Sequence, residues 1–250
     1  MKNKLTGISG FSADTTFHTN ISIIIPIHNE ASILEKFIST IHNSLDKIRF
    51  TENYELLLIE NGSTDNTLFI AKNIEKDDSL VKVESLPKPS YGKALKYGID
   101  SACGEILVIF NADFWDIEFL SNAKVLLEKY DIIVGSKNIP GSKDLRPLSR
   151  RIISKLFSQS LQILFFYNGT DTHGIKALKT KLAKQLVKQC KTSGEIFDTE
   201  MLLIAQKNKH SIFEIPVSVK ELRPSRTSIW RRIPSAIVDL MSIFYNYYFS

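Results

Sequence analysis

The sequence predicts an α/β fold in which helices flank a mostly parallel β-sheet, with amphipathic helices towards the C-terminal end. Short β-branched or apolar runs alternate with amphipathic stretches over the first 136 residues, as in parallel sheets with helical crossovers. A proline or a turn residue ends several of these runs. The 250 residues are 43% hydrophobic and 24% charged, which is typical of a globular chain with a large core.

The elements of the first half follow from this alternation. Strands are expected at residues 21–25, 54–59, 81–84, 105–110 and 132–134, because these runs are apolar and rich in β-branched residues. A first helix is expected to begin at Asn29 or Glu30, where the apolar positions change to a spacing of four. Further helices are expected at residues 64–76 and 92–101.

The second half has a different pattern. A basic stretch leads into a strongly apolar helix over residues 146–166, with Ile153, Phe157, Leu161 and Phe165 on one stripe. Helices at 179–188 and 197–207 and a strand at 212–219 are expected to follow. We expect one domain at residues 21–230, a polar lead-in at 1–20 and an amphipathic, interfacial segment at 231–250.

The charge of the chain is compatible with an anionic partner. The formal net charge is +5 and the isoelectric point is about 9.0, which fits a phosphate-bearing ligand, an anionic membrane face or nucleic acid. Two basic clusters stand out: Lys143, Arg146, Arg150, Arg151 and Lys155, and then Lys220, Arg223, Arg226, Arg231 and Arg232. Cys103 and Cys190 have no metal-type spacing, and the N-terminus lacks the apolar core of a signal peptide. A reducing, cytoplasmic location is therefore expected.

Polar residues follow three of the predicted strands, at the sheet edge where ligands of α/β proteins bind. Pro26, His28 and Glu30 follow the first strand, and Glu60 and Asn61 follow the second. Taken alone, a helix start explains the first group better than a ligand does. A tight turn with a capped helix explains the second group as well as a nucleotide does.

The third group is more specific. The apolar strand EILVIF runs directly into Asn111-Ala112-Asp113. Two oxygen ligands two residues apart can share Mg²⁺ or Mn²⁺, and such an ion also binds phosphate oxygens. The sequence therefore predicts a divalent-cation site at Asn111 and Asp113.

Several runs together resemble family 2 glycosyltransferases with the Rossmann-like GT-A fold. These runs are SIIIPIHNE, ENGSTDNT, GKALKYGIDSACGEILVIFNAD, VGSKN, RRIISKLF, DTHGIKALKT, FDTEMLLIAQKNKHSIFEIPVSV and RPSRTS. They cover roughly residues 20 to 230 in order, and they are most similar to the dolichol-phosphate mannose synthase-like branch. The resemblance implies inverting transfer of a hexose from a UDP- or GDP-sugar donor.

The resemblance also implies roles for individual residues. The nucleotide would contact Pro26, His28, Glu30, Glu60, Asn61, Lys93 and Ala112. The metal would bind Asn111 and Asp113, and the residues with catalytic roles would be Asp113, Asp198 and Arg223. The acceptor or phosphate groups would be held by Arg150, Arg151, Lys176 and Arg226.

Three positions depart from the family pattern. Asn61 and Asn111 are neutral where the family usually has acidic residues, and Trp115 replaces a polar residue that often helps the metal. An amide oxygen carries no full charge, so weaker metal binding, a different nucleotide preference or a degenerate enzyme is expected.

The acceptor is expected to be a polyprenyl phosphate at the inner face of the membrane. No run reaches the 18 or more apolar residues of a membrane span. Ile237, Met241, Phe244 and Tyr248 instead form an apolar stripe after two arginines, and residues 149–166 repeat this pairing. Such segments are typical of peripheral membrane contact. The alternative is that both stripes pack on the sheet or form a homodimer interface.

Other functions remain as alternatives. One is transfer to a glycan hydroxyl in surface polysaccharide synthesis, with Asp198 or Glu200 as the base. Another is a nucleotide-sugar-binding protein that has lost turnover. A dehydrogenase is set aside because no G-x-G-x-x-G follows the first strand, and nucleic-acid binding because no such module is present.

Overall fold

The computed structural model describes residues 20–50, 53–219 and 229–249. The strands in these ranges are β1 (Ile21–Ile27), β2 (Tyr54–Asn61), β3 (Val81–Leu86), β4 (Ile106–Ile109), β5 (Ile132–Ser136), β6 (Lys143–Asp144), β7 (Lys176–Lys179), β8 (Ile212–Pro216) and β9 (Ser218–Val219). The helices are α1 (Leu34–Lys47), α2 (Thr67–Asp77), α3 (Tyr91–Ser101), α4 (Ile117–Leu126), α5 (Leu148–Phe165), α6 (Thr180–Gln189), α7 (Phe197–Lys207) and α8 (Ile229–Phe249).

Seven of the described strands form one sheet in the order β3-β2-β1-β4-β7-β5-β8. Neighbouring strands are parallel except at β7, which is antiparallel to both β4 and β5. The predicted mostly parallel sheet flanked by helices is therefore confirmed. The carboxyl ends of β1, β2 and β4 lie at the same edge as the amino end of β7, and we call this edge the ligand edge.

Alternation along β1 divides the core between the two faces of the sheet. Ile23 and Ile25 belong to a cluster with residues of α1 and α4, whereas Ile24 belongs to a second cluster with residues of α3, α6 and α7. These side chains are completely buried. Both faces of β1 are covered, which explains its uninterrupted apolar sequence.

Some predicted boundaries were wrong. The first helix begins at Leu34 rather than at Asn29 or Glu30, because Asn29 has a φ of 55° and the Glu30 carbonyl accepts hydrogen bonds from the amides of Ile33 and Leu34 in a turn. The predicted strand at 212–219 is divided, because β9 leaves the main sheet and pairs with β6.

The C-terminal helix packs against α5. The Phe165 ring of α5 lies 5.9 Å from the Phe244 ring and 5.3 Å from the Tyr247 ring of α8, and Ile243 is buried. Residue 231, where the interfacial segment was predicted to begin, lies inside α8, which begins at Ile229. In the described part of the chain, no helix is both long and apolar enough to cross a bilayer.

The predicted apolar stripe of α5 faces inward, so this stripe does not meet a membrane. Leu161 and Phe165 are buried against the second core cluster, and Phe157 packs on it. A different stripe of α5 is exposed, formed by Leu148, Ile152 and Leu156. Neither α5 stripe could be assigned to the inside or the outside from spacing alone.

Candidate active site

The ends of β1 and β2 are joined by hydrogen bonds at the ligand edge. Nδ1 of His28 lies 2.8 Å from the Asn61 carbonyl oxygen. Asn29 adopts its positive φ and accepts a hydrogen bond from the Thr64 amide at 2.7 Å. His28 and Pro26 are half-buried, and Glu30 is buried. The structure thus brings the predicted residues after β1 beside those after β2.

The two residues after β2 that are expected to contact the nucleotide hold neighbouring loops. Glu60 is buried and accepts hydrogen bonds from the Ser63 amide at 2.5 Å and the Ser85 hydroxyl at 2.6 Å. Asn61 is buried as well, and its Oδ1 accepts a hydrogen bond from the Ser90 amide at 2.6 Å. Both side chains therefore already accept hydrogen bonds that position the neighbouring loops of the site.

The start of α3 is clamped to the loop before α7. The Gly92 amide and the Ser90 hydroxyl both donate to the Ser193 carbonyl oxygen, at 3.0 and 2.7 Å. A Cβ atom on Gly92 would lie 2.6 Å from the Ser193 carbonyl carbon, so only glycine fits this close approach. Lys93, the next residue, is exposed.

The predicted metal ligands lie on a tight turn after β4. The amide of Asn111 donates to the Phe114 carbonyl oxygen at 3.0 Å, and the Phe114 amide donates to the Asn111 carbonyl oxygen at 3.1 Å. Ala112 is buried, whereas Asp113 is exposed at the tip of the turn. The carboxylate of Asp113 is therefore accessible to a ligand.

The donor set of this turn suits Mg²⁺ or Mn²⁺, because it offers an amide oxygen and a carboxylate. Among the described residues there is no group of three or more His, Cys, Asp or Glu side chains that could hold a metal ion. A cation at Asn111 and Asp113 would accordingly need further oxygen ligands from a bound phosphate and from water.

Lys176 and Asp198 form an ion pair inside the protein. Lys176 is completely buried and Asp198 is 1% exposed. The ammonium of Lys176 lies 3.1 Å from Oδ1 of Asp198 and donates to the Gly174 carbonyl oxygen at 2.7 Å. The contact with Oδ1 is electrostatic, since its geometry does not make it a hydrogen bond. Neither side chain is exposed at the surface.

Sequence reasoning missed Tyr91, which completes this pair. The Tyr91 hydroxyl donates to Oδ2 of Asp198 at 2.8 Å. Burial, and then the charge of Asp198, raise the pKa of Tyr91 well above its usual value, so the hydroxyl stays protonated. Little in the sequence indicated this contact, because a single tyrosine before a Gly-Lys pair belongs to no motif that would predict a partner.

A second buried ion pair supports the loop before β7. The Lys137 ammonium lies 2.5 Å from Oδ2 of Asp171, and both side chains are nearly inaccessible. Burial alone would raise the pKa of Asp171, but the attraction of Lys137 and the hydrogen bonds to the carboxylate outweigh it and lower the pKa. Glu214 accepts hydrogen bonds from the amides of Thr170 and Asp171, which fixes the loop.

Of the four arginines that were predicted to bind the acceptor or diphosphate, the structure describes two. Arg150 is half-buried and Arg151 is exposed, both in the first turn of α5. Arg223 and Arg226 lie outside the described residues. The side chains of Arg231 and Arg232 are also outside the described part, although α8 includes both positions.

Polar loops gathered at the carboxyl edge of a mostly parallel sheet are the arrangement of nucleotide-dependent α/β enzymes. The profile of one such family, "Glycosyl transferase family 2", matches residues 22–186. The chain belongs to this family and is a glycosyltransferase.

Curated relatives agree with this assignment. The chain is 26% identical over 228 residues to Glycosyltransferase AglD of Haloferax volcanii, covering 89% of this chain but 36% of that protein. It is 27% identical over 239 residues to a dolichyl-phosphate beta-glucosyltransferase of Trichomonas vaginalis, covering 89% of this chain and 72% of that one. These relatives fit the predicted dolichol-phosphate branch. The chain spans about a third of the length of AglD.

Solved structures show the same fold. Glucosyl-3-phosphoglycerate synthase from Mycobacterium tuberculosis in complex with UDP superposes with a TM-score of 0.64 at 17% identity, covering 92% of this chain and 80% of that one. The same enzyme in complex with Mn²⁺, UDP-glucose and phosphoglyceric acid gives a TM-score of 0.64 at 18% identity, covering 92% of this chain and 79% of that one. The GT-A fold predicted from the sequence is confirmed.

Proposed function

We propose that this glycosyltransferase moves a hexose from a UDP- or GDP-sugar to a polyprenyl phosphate, with inversion at the anomeric carbon. The observation that carries the proposal is the exposed Asp113 on its turn, beside the joined ends of β1 and β2. The relatives include a dolichyl-phosphate glucosyltransferase, and the structural neighbours bind UDP with Mn²⁺ or Mg²⁺.

The state of the two candidate bases favours a phosphate acceptor. Asp198 is paired with Lys176 and Tyr91, and Glu200 is buried with its carboxylate bound to the Lys191 and Thr192 amides at 2.9 and 2.8 Å. A hydroxyl acceptor needs a base within hydrogen-bond reach. A phosphate oxygen is already an anion, so it can attack without one. The new bond forms at the anomeric carbon as the bond to the nucleoside diphosphate breaks, and that diphosphate takes the electron pair.

A divalent cation would be held by Asn111 and Asp113 together with the diphosphate, and it would neutralise charge on the leaving group. The protein's own contribution is the turn that exposes Asp113 and the clamp that fixes the start of α3 with Lys93. We propose that Pro26, His28, Glu30, Glu60, Asn61 and Ala112 shape the nucleotide pocket. Arg150, Arg151, Arg223 and Arg226 are proposed ligands of the acceptor or diphosphate. Lys176 and Asp198 are proposed to act as a buried ion pair that holds the segments around the site in position.

The test is a transfer assay with radiolabelled UDP-glucose and GDP-mannose. Dolichyl phosphate, undecaprenyl phosphate, the unphosphorylated polyprenol and a soluble oligosaccharide are offered as acceptors. We expect transfer to a polyprenyl phosphate that requires Mg²⁺ or Mn²⁺. Transfer to the oligosaccharide alone would support the hydroxyl alternative, and nucleotide-sugar binding without any transfer would support a degenerate enzyme.

Asp113→Ala is the matching variant. We expect transfer to fall by a factor of at least about 100, since this carboxylate would hold the cation that neutralises charge on the leaving group. Asp116→Ala is the control, because Asp116 lies on the same segment but caps α4 through the Phe119 amide. Equal activity of Asp113→Ala and wild type would remove Asp113 from the reaction.

We further propose that the enzyme works on the inner face of a membrane, through exposed apolar residues of α5 and α8. Leu148, Ile152 and Leu156 of α5 are 66%, 49% and 59% exposed, and Arg151 and Lys155 lie among them. Apolar residues are exposed on α8 as well: Ile237, Val238, Met241, Tyr245 and Phe249. Apolar residues beside basic ones are typical of interfacial helices.

Sedimentation with vesicles tests this surface. Ile152→Glu with Leu156→Glu should weaken binding to anionic vesicles at least about tenfold, since both burial and charge attraction are lost. Phe69→Glu on α2 is the control, because Phe69 is 68% exposed on a helix that packs on the other face of the sheet. Equal binding of all three proteins would contradict contact through α5.

A further inference from the structure

The loop before β7 has a fixed backbone and one exposed side chain. Of residues 171–175, His173 is exposed and the other four are buried. The Asp171 carboxylate forms a buried ion pair with Lys137. A Cβ atom on Gly174 would lie 2.0 Å from a backbone oxygen of β5, so the loop is packed directly against the end of that strand. His173 therefore extends to the surface from a loop that has little freedom to move.

The imidazole ring of His173 is held on two sides. Its Nδ1 lies 3.2 Å from the Thr172 hydroxyl oxygen, which lies 2.8 Å from the Thr199 hydroxyl oxygen. The ring also meets the Phe157 ring of α5 edge to face, with 5.4 Å between the two centroids. Nε2 has no hydrogen-bond partner among the residues that the structure describes. Its neighbours thus orient the ring and leave the second nitrogen to a ligand.

His173 lies between the ligand edge and α5. It precedes β7 by three residues, and the amino end of β7 belongs to the ligand edge. Phe157 comes two helical turns after Arg150, so both side chains project from the same face of α5, about 10 Å apart along its axis. Arg150 is half-buried, as expected for that face. An anion between Arg150 and His173 would lie where α5 meets the ligand edge.

The surroundings of His173 suit an anion. Asp171 of the same loop and Asp198, which precedes Thr199 on α7, are each paired with a buried lysine. Neither carboxylate therefore presents an uncompensated charge beside the ring. An imidazole N–H can donate to a phosphate oxygen, and hydrogen bonds to charged oxygens are stronger than those between neutral groups.

We propose that Nε2 of His173 donates a hydrogen bond to the phosphate of the lipid acceptor, with Arg150 on the other side of that phosphate. This inference rests on the proposed function and adds a residue that contacts its acceptor. The exposed apolar stripe of the proposed membrane surface lies on the same helix as Arg150. A polyprenyl chain bound along α5 would accordingly bring its phosphate towards His173.

Transfer kinetics with a short, water-soluble acceptor test this contact without the membrane. Citronellyl phosphate is offered with the donor that wild type accepts, and the KM for the acceptor is measured at saturating donor. His173→Asn has no group at the Nε2 position, so it should raise this KM at least about tenfold, as for a lost hydrogen bond to a charged group. His173→Gln reaches that position with its amide, so its KM should stay within about threefold of wild type.

Two further readouts separate this contact from a general loss of structure. In both variants kcat should change less than KM, because the contact is made before as well as during transfer. The affinity for the nucleotide sugar, measured by calorimetric titration, should be unchanged.

His210→Ala is the matched control. His210 is half-buried beside Asp131 and precedes β8, at the opposite edge of the sheet, so its removal should leave the KM unchanged. An unchanged KM in His173→Asn would overturn the inference, and so would an equal rise in His173→Gln. A loss of donor affinity in place of acceptor affinity would overturn it too, by assigning His173 to the donor. If wild type transfers to no polyprenyl phosphate, the proposed function fails and this inference fails with it.

A protection experiment on the wild-type protein covers variants that do not fold. Diethyl pyrocarbonate acylates accessible neutral imidazoles, and mass spectrometry of peptides locates the modified residue. Citronellyl phosphate should protect His173 from this modification, whereas citronellol, which lacks the phosphate, should not. The reaction of His210 should be the same with and without either compound. Equal modification of His173 in the presence of both compounds would overturn the inference.

Discussion

The two halves of the ligand edge are built in different ways. The loops after β1, β2 and β3 are joined by hydrogen bonds between polar side chains and backbone, as between Asn61 and the Ser90 amide. The loops before β7 and α7 depend on buried ion pairs, Lys137 with Asp171 and Lys176 with Asp198. The parallel topology already places the loops of the first group side by side, so that polar side chains reach the backbone of a neighbouring loop. Each buried ion pair instead requires two charged side chains from different segments to come within contact distance inside the protein. The second group of loops should consequently be more sensitive to single substitutions.

Breaking a buried pair tests this difference most strongly. Lys176→Met should lower the free energy of unfolding by about 3–5 kcal/mol, because Asp198 would be left as an uncompensated buried charge. Urea unfolding measures it. The control is Lys72→Met on α2, whose partner Glu75 forms an exposed pair that should contribute at most about 1 kcal/mol.

The double variant Lys176→Met with Asp198→Leu sharpens the result. Removing both charges should recover much of the loss, since apolar replacements of a buried pair are often neutral. A loss below about 1 kcal/mol in the single variant would show that the pair is not a sensitive point.

The clamp at the start of α3 should give a smaller effect. Gly92→Ala would place a Cβ atom 2.6 Å from the Ser193 backbone, and the shift needed should cost about 1–3 kcal/mol. Gly194→Ala is the matched control, because the nearest atom to its Cβ is 3.8 Å away, on Asp239. Thermal unfolding of both variants checks the clamp, and equal melting temperatures would contradict it.

The smallest expected effect is a change in how steeply the free energy of unfolding depends on pH in acid. Because the folded state lowers the pKa of Asp171, this group stabilises the protein above its unfolded pKa of about 3.9. That contribution is lost as the pH falls from about 5 through the lower, folded pKa. Asp171→Asn should therefore flatten the dependence of the unfolding free energy on pH in this range. Parallel curves for wild type and variant would contradict the shift.

Much of the first half could be predicted from the sequence. Apolar runs ended by turn residues located β1, β2 and β4, and the parallel topology then brought Glu60, Asn61 and Asp113 to one edge. Helix boundaries were less accurate. Asn29 adopts a positive φ and belongs to a loop, which residue type alone did not reveal.

The second half was harder to predict for a physical reason. β7 has only four residues, and its Lys176, expected by resemblance to hold acceptor or phosphate groups, lies completely buried beside Asp198. The stripe of α5 predicted from spacing is buried, as the alternative of packing on the sheet allowed, and a second apolar stripe is exposed. Spacing alone could not separate the two, because a helix with two apolar faces has no inside until a neighbour covers one of them.

The sequence by itself determined the fold class, the family and the three polar strand ends, because apolar periodicity and local turn chemistry act over short stretches of chain. Only the tertiary structure decided which of these polar residues are exposed and which are paired inside the protein. Asp113 is exposed, Glu60 and Asn61 hold loops, and buried Asp198 is paired with Lys176 and accepts a hydrogen bond from Tyr91. Whether a charge is available for chemistry depends on its burial and its partners, and those come from segments far apart in the chain.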